Sequence, residues 1–511
     1  MIDLRVVYRR AEEHTKLFVG GLFCLLVLFI FLQSIFSAGM VLAGLVSIVA
    51  LFVAFTRPLW ILGFLALYLP FESIVLKFTP NDVYVLVRYF SEGLIYLVAG
   101  VVLVQFFLGK RTYQPFFLDT PMVLLLVSIV ASVVINFVPA SVALLGIRQI
   151  IRFALVFFLI VQLKPSASFV RLLTTALFGI VLFQSILGMT QSLVGQPLDQ
   201  FLLPAEKHTL GSITLTEGVD QFWDPGSRIF GTLGRYDRLG NFLYVFLLLG
   251  AGFLFTKQRS NQFASLLPWL FLLGLPALVL TYSRASWFAF LLGFLFIGLW
   301  IKRDRRVATG LVGFVVALFV IFLTSGLRIS LLTEGSGQTL SERFFESFSY
   351  ARWAGEYYGL GRTFWFVHTP LDVVSRAPLF GWGPGQYGGG AAAALRNTTV
   401  YEKTGLPFGV FGTEGYIDNN WFSLWAEIGT LGMVFYLWII FGLFFFALRT
   451  YKASKDPFVQ ALCLGFSALV IAVVFNAFTS TILEIRTIAY YFWLYAGFIV
   501  VLGQNKRDAT V

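Results

Sequence analysis

Histidine and cysteine are nearly missing from this chain: 511 residues hold three histidines and two cysteines. His14, His208 and His368 lie far apart in sequence, and Cys24 and Cys463 both fall inside long apolar runs. Neither a histidine metal cluster nor a disulfide framework is supported by that usage, and no metal is expected. Charge is scarce too, at 12% Asp, Glu, Lys and Arg. A soluble globule carries about twice that share, so an ordinary soluble enzyme is excluded. The one glycine-rich run, Gly381 to Gly390, has no strand and no Lys-Ser after it. It reads as a turn that brings backbone close to a ligand or another loop, not as a nucleotide cradle.

What fills the sequence instead is apolar: 58% hydrophobic residues and a mean hydropathy of +0.83. Runs of roughly 18 to 25 apolar residues, enough to cross a ~30 Å hydrocarbon core as helices, recur throughout. Fourteen spans are expected, at about 17 to 36, 38 to 56, 59 to 76, 83 to 108, 121 to 138, 147 to 163, 169 to 194, 239 to 256, 263 to 281, 285 to 301, 307 to 326, 421 to 448, 458 to 477 and 485 to 503. The fold class is therefore an all-α polytopic membrane protein.

Arg5, Arg9, Arg10 and Lys16 precede the first span, and placing that end in the cytoplasm predicts which later loops are basic. Arg57, Lys110 with Arg111, Lys164, Lys257 with Arg259, the run Lys302 to Arg306, Arg449 with Lys452 and Lys455, and Lys506 with Arg507 all obey that alternation. Both termini are then cytoplasmic. The first apolar run exceeds a signal-peptide core and lacks a cleavage site, so it is expected to remain as an anchor. Orientation and anionic headgroups account for most of the +11 net charge, which makes bilayer lipids the partner and leaves no case for nucleic acid.

Five segments follow: N-terminal transmembrane helices at 1–194, a first outer loop at 195–238, central helices at 239–326, a large outer loop at 327–420 and C-terminal helices at 421–511. The large loop is rich in aromatic residues, among them Trp353, Tyr357, Trp365, Trp382 and Tyr387, which points to ordered structure rather than a tether. On this same outer face, where arginine is normally depleted, stand Arg148, Arg152, Arg228, Arg235, Arg284, Arg362 and Arg376. Arg148 and Arg152, four residues apart, share one face of a helix, and paired guanidinium donors match phosphate oxygens. Surface salt bridges in the loop and snorkelling to headgroups remain the alternatives.

Arg228-Ile229-Phe230-Gly231-Thr232 before one span and Ser283-Arg284 between two later ones resemble the Arg-x-x-Gly-Thr and Ser-Arg elements of the O-antigen ligase and O-antigen or exopolysaccharide polymerase superfamily. In the large loop, Arg362-Thr363-Phe364-Trp365 and Pro378-Leu379-Phe380-Gly381-Trp382-Gly383-Pro384-Gly385-Gln386-Tyr387 continue the likeness. It ends at Asp418-Asn419-Asn420-Trp421-Phe422 and Glu427-Ile428-Gly429-Thr430-Leu431-Gly432. Where ligases of the family carry histidine this chain has Asp418, a departure more familiar from polymerases.

The resemblance implies a GT-C-like glycosyltransferase architecture in the bacterial cytoplasmic membrane, with the active site facing outward and no cofactor. It implies polymerisation of an undecaprenyl-pyrophosphate-linked glycan onto a glycan or lipid-linked acceptor, with a chain-length regulator as a further partner; the ligase reaction on lipid A core is the alternative. Arg284, Arg148, Arg152, Arg228 and Arg235 are the expected pyrophosphate cradle, because fixed cations stabilise charge building on a leaving phosphate. Asp418 is the expected base, with a helix-capping role as the other reading. Arg362, Arg376, Asn419, Asn420, Trp382 and Tyr387 are expected against the glycan. A transporter would also place arginines in a cavity, but it centres them near the bilayer midplane, often within internal repeats.

Overall fold

The computed structural model describes residues 37–204, 208–210, 213–215, 228–256, 261–324, 339–409 and 414–504. The expected first span lies outside them. Within them the chain is helical, apart from a small antiparallel ladder that pairs His208–Leu210 with Ile213–Leu215.

Among the described residues, ten helices are long and apolar enough to cross a membrane, or eleven if one bent pair counts as a span. The bent pair is Ala140–Ile151 with Ala154–Leu163, turned by 55°, where a single span at 147 to 163 was expected. Arg152 and Phe153 occupy the bend. The fifth and ninth expected spans correspond to the shorter apolar helices Asp119–Ile135 and Ser265–Leu280. Together these make a multi-pass membrane protein.

Burial ranks the helices. Arg486–Gln504, Tyr236–Phe255 and Pro457–Asn476 are 89%, 83% and 78% buried across their apolar windows, whereas Arg305–Leu323 is 0% and Gly39–Thr56 11% buried. The first three form the core, and the last two lie at its periphery, little covered by the other described residues. Because lipid tails are as apolar as leucine, side-chain hydrogen bonds and close packing must choose the neighbours. Asn241 does so at the centre: its Oδ1 accepts from Asn476 Nδ2 at 2.8 Å and from Ser286 Oγ at 2.9 Å. Three helices are thereby joined, and the turn carrying Ser283 and Arg284 is held. Tyr490 and Tyr491 donate their hydroxyls to the carbonyls of Leu62 and Ala66, both at 2.6 Å, tying in the Pro58–Tyr68 helix.

The large loop folds into short helices: Leu340–Glu346, Tyr350–Tyr358, Arg362–His368, Gly390–Ala394 and Thr399–Thr404. Thr339 and Glu342 form a capping box that starts the first. Trp365, Val373, Val374, Tyr387, Val400, Tyr401 and Ile417 give the loop a core of its own.

The glycine-rich run seats this loop on the membrane helices. Gly385 and Tyr387 donate their N–H groups to Glu427 Oε1 at 2.9 and 3.3 Å, and Gly383 N reaches the Glu427 carbonyl at 2.9 Å. Gly429 interrupts the Asn420–Ala453 helix with φ +68°, and a Cβ there would stand 2.3 Å from the Leu379 carbonyl. The backbone expected to approach a ligand or another loop here approaches the Asn420–Ala453 helix.

Candidate functional site

One group of charges is built on the Tyr84–Phe107 helix. Glu92, buried, accepts from Arg148 Nε and, at 2.9 Å, from Arg148 Nη2. It also accepts from Arg152 Nη1 at 3.1 Å and from the Tyr96 hydroxyl at 2.9 Å. Arg152 Nη2 continues to the Glu484 carbonyl at 3.2 Å. Beside it, Arg486 donates to Glu72 Oε1 at 2.7 Å and to the Arg88 carbonyl at 3.0 Å. Arg88, Arg238 and Arg486 stand within electrostatic reach of one another and of Glu72. Guanidiniums outnumber carboxylates here, a surplus that favours an anionic ligand.

The second group is built on the loop. Glu346 has no exposed surface and faces Arg284 at 3.0 Å, Arg343 at 3.7 Å and Arg352 at 3.8 Å. Glu356 holds Arg352 and, at 3.8 Å, Arg362. Arg362 in turn donates from Nη2 to Asp418 Oδ2 at 3.0 Å.

Between the two groups lies the 228–235 segment, fixed by side-chain amides. Gln191 Oε1 accepts the N–H groups of Phe230 and Gly231, both at 3.0 Å, and Gln184 Oε1 accepts that of Thr232 at 3.1 Å. Ile229 N donates to the Leu280 carbonyl at 3.3 Å, so this segment abuts the Ser283-Arg284 turn. Arg228 lies over the Tyr236 ring at 4.4 Å, and Arg235 pairs with Asp237 at 3.0 and 3.3 Å.

Two tyrosines and one glutamate join everything. Tyr236 is within electrostatic reach of Arg228, Arg235, Arg343 and Arg362. Tyr416, hydrogen-bonded to Thr481, is within reach of Glu484, Asp418 and Arg235. Glu484, in the turn between the last two membrane helices, is pushed up from 4.5 to about 7 by burial, against the lowering effects of the Gly390 N–H and Arg152. Arginines from distant parts of the chain therefore meet around one region lined by Tyr236, Tyr416, Asp418 and Glu484.

The structure brings Arg148, Arg152, Arg228, Arg235, Arg284, Arg362 and Asp418 into this arrangement. Other expected residues make contacts within the fold. Asn419, 1% exposed, caps the Asn420–Ala453 helix by accepting Phe422 N at 3.0 Å; the cap is this asparagine and not Asp418. Asn420 Oδ1 accepts Leu483 N at 2.8 Å. Tyr387 has no surface to stack on a sugar: its ring lies on Tyr401 at 5.1 Å and its hydroxyl meets Thr369 Oγ1 at 2.8 Å. Trp382 donates to the Val373 carbonyl at 2.9 Å. Arg376 donates to the carbonyls of Lys403 and Thr404 at 2.7 and 3.4 Å, closing the end of a short helix.

Sequence reasoning passed over Glu72, Arg88, Glu92, Arg238, Glu346, Tyr416, Glu484 and Arg486. Arg88 and Glu92 stood inside an expected span and Arg486 at the start of another, where an ionisable side chain is itself a signal of function. Tyr416 and Glu484 carry no local signal; only the fold puts them together.

Residues 269–437 match the family model described as O-antigen ligase. The match runs from before the Ser283-Arg284 turn, through the whole large loop, to beyond Gly432. It supports the O-antigen ligase and polymerase superfamily and, with the ten apolar helices, a membrane enzyme of the glycosyltransferase kind. No curated protein matches the chain.

Proposed function

We propose that this chain polymerises lipid-pyrophosphate-linked oligosaccharide units into O-antigen or exopolysaccharide on the outer face of the cytoplasmic membrane. The observation that carries this reading is the gathering of Arg148, Arg152, Arg228, Arg235, Arg284 and Arg362, with the partly buried Arg88, Arg238 and Arg486, about one region.

Transfer of a glycan from such a donor breaks the bond between the anomeric carbon and the pyrophosphate. Negative charge grows on the leaving oxygen, and guanidiniums already fixed by Glu92 and Glu346 stabilise it without reorganising. The acceptor hydroxyl must lose its proton during attack, and Asp418 occupies the place where ligases of the superfamily carry histidine. An aspartate there favours the polymerase.

The description of the matching family favours ligation as the second reading. Purified protein given a lipid-linked oligosaccharide alone separates the two. A ladder of longer lipid-linked glycans with free lipid pyrophosphate supports polymerisation. Transfer only when lipid A core is added supports ligation, and movement across a vesicle membrane with no bond cleaved overturns both.

A further inference from the structure

Resting on that glycosyl-transfer reading, we infer that Glu484 takes the proton from the acceptor hydroxyl, and that Asp418 holds Arg362 in place.

Two carboxylates reach the Tyr416 region, and their surroundings differ. Asp418 Oδ2 is paired with Arg362 at 3.0 Å, so this carboxylate is already engaged by a guanidinium. Glu72, Glu92, Glu346 and Glu356 are committed to arginines in the same way. Glu484 accepts one N–H, from Gly390 to Oε2 at 3.0 Å, and its Oε1 takes no hydrogen bond from the described residues.

The groups facing Glu484 come from each element around it. Arg152 approaches from the bent pair, with its guanidinium on the Glu484 carbonyl and not on the carboxylate. Tyr416 approaches from the end of the large loop, and Glu427 and Tyr436 from the Asn420–Ala453 helix. Gln149 holds the neighbouring Ala391 N–H at 2.6 Å. On the glutamate's own element, Arg486 is committed to Glu72. Burial disfavours the charged form, whereas one N–H and Arg152 favour it. The result is a proton affinity suited to neutral pH, where a general base works best.

The turn carrying Glu484 is fixed in a way that gives two other residues a purpose. Asn420 Oδ1 accepts Leu483 N at 2.8 Å and Tyr416 bonds Thr481. Asn420 and Tyr416 are thus positioning residues for the carboxylate. In the step itself the acceptor oxygen forms its bond to the anomeric carbon while the bond to pyrophosphate breaks. The electron pair leaves on the pyrophosphate oxygen near the arginines, and the hydroxyl proton passes to Glu484 Oε1.

The test uses the full-length protein with a lipid-linked oligosaccharide and compares Glu484→Gln, Glu484→Asp and Asp418→Asn. Glutamine can still accept the Gly390 N–H, so the turn survives. Turnover of Glu484→Gln is expected to fall by about 10²- to 10⁴-fold, with protection against thermal unfolding by the lipid-linked donor unchanged. The wild-type rate is expected to rise with pH through about 7. Glu484→Gln loses that limb, Glu484→Asp recovers part of the rate with the limb displaced, and Asp418→Asn weakens KM while keeping the limb. A Glu484→Gln rate within tenfold of wild type, loss of donor protection in that variant, or disappearance of the limb in Asp418→Asn instead would each overturn the assignment. A wild-type protein that cleaves no donor would overturn the function itself, and this role with it.

Discussion

Arg284 donates from Nη1 to Glu346 Oε2 at 3.0 Å, so the turn between two membrane helices is bolted to the first helix of the large loop. Glu346 also faces Arg343 and Arg352. One buried carboxylate thereby aligns three guanidiniums drawn from three separate helices.

That arrangement predicts unequal effects from its two ends. Arg284→Ala leaves Glu346 with two cationic neighbours, so folded protein should be recovered nearly as from wild type, while polymer formation disappears. Glu346→Ala leaves buried guanidiniums without their anion, a loss of about 3–5 kcal/mol, and should lower the thermal midpoint sharply. Normal ladder formation by Arg284→Ala would count against the pyrophosphate role.

Glu92 fixes Arg148 and Arg152 together. Glu92→Gln keeps the shape but removes the charge that orients them. Because misplacing a reacting group by ~1 Å costs on the order of 10²-fold, kcat/KM should fall by about that factor. Unchanged steady-state kinetics would show that these arginines act elsewhere.

Two glycines with positive φ separate strain from collision. Gly405 has φ +74° with nothing within 4 Å of the place a Cβ would take, so Gly405→Ala should cost roughly 1–2 kcal/mol. Gly429→Ala adds the 2.3 Å approach to the Leu379 carbonyl and should cost more, freeing the large loop. Limited proteolysis of that loop measures the difference; equal sensitivity in the two variants would refute the docking role of Gly429.

Stability should depend on pH through Glu484, raised from 4.5 to about 7 by burial. Between those values the folded protein binds the proton more tightly than the unfolded chain. The stability contributed is full below the ordinary value and is lost as pH rises to about 7, by about 3 kcal/mol in all. Thermal midpoints taken across this range should fall in wild type and lack that slope in Glu484→Gln.

Much of this was legible before folding. The Ser283-Arg284 turn, the arginine pair at Arg148 and Arg152 and the ordered loop were all marked by charge or aromatic residues in places where lipid makes them costly. Tyr387, Asn420 and Trp382, expected against a glycan, make hydrogen bonds within the fold, and a polar or aromatic side chain looks the same in sequence whether it faces a ligand or a core. Glu346 and Glu484 were overlooked because an outer loop or turn tolerates a carboxylate at no cost, so its presence there carried no information.

The sequence by itself determined a polytopic helical membrane protein with arginines on one face, since hydrophobic length and charge sign act locally on each helix as it meets the bilayer. Which arginines share a carboxylate, and that the Glu484 carboxylate forms no ion pair among the described residues, was decided by tertiary structure alone. Those pairings join residues as distant as Glu72 and Arg486, and only the packing of helices against one another sets the few ångströms over which an ion pair forms.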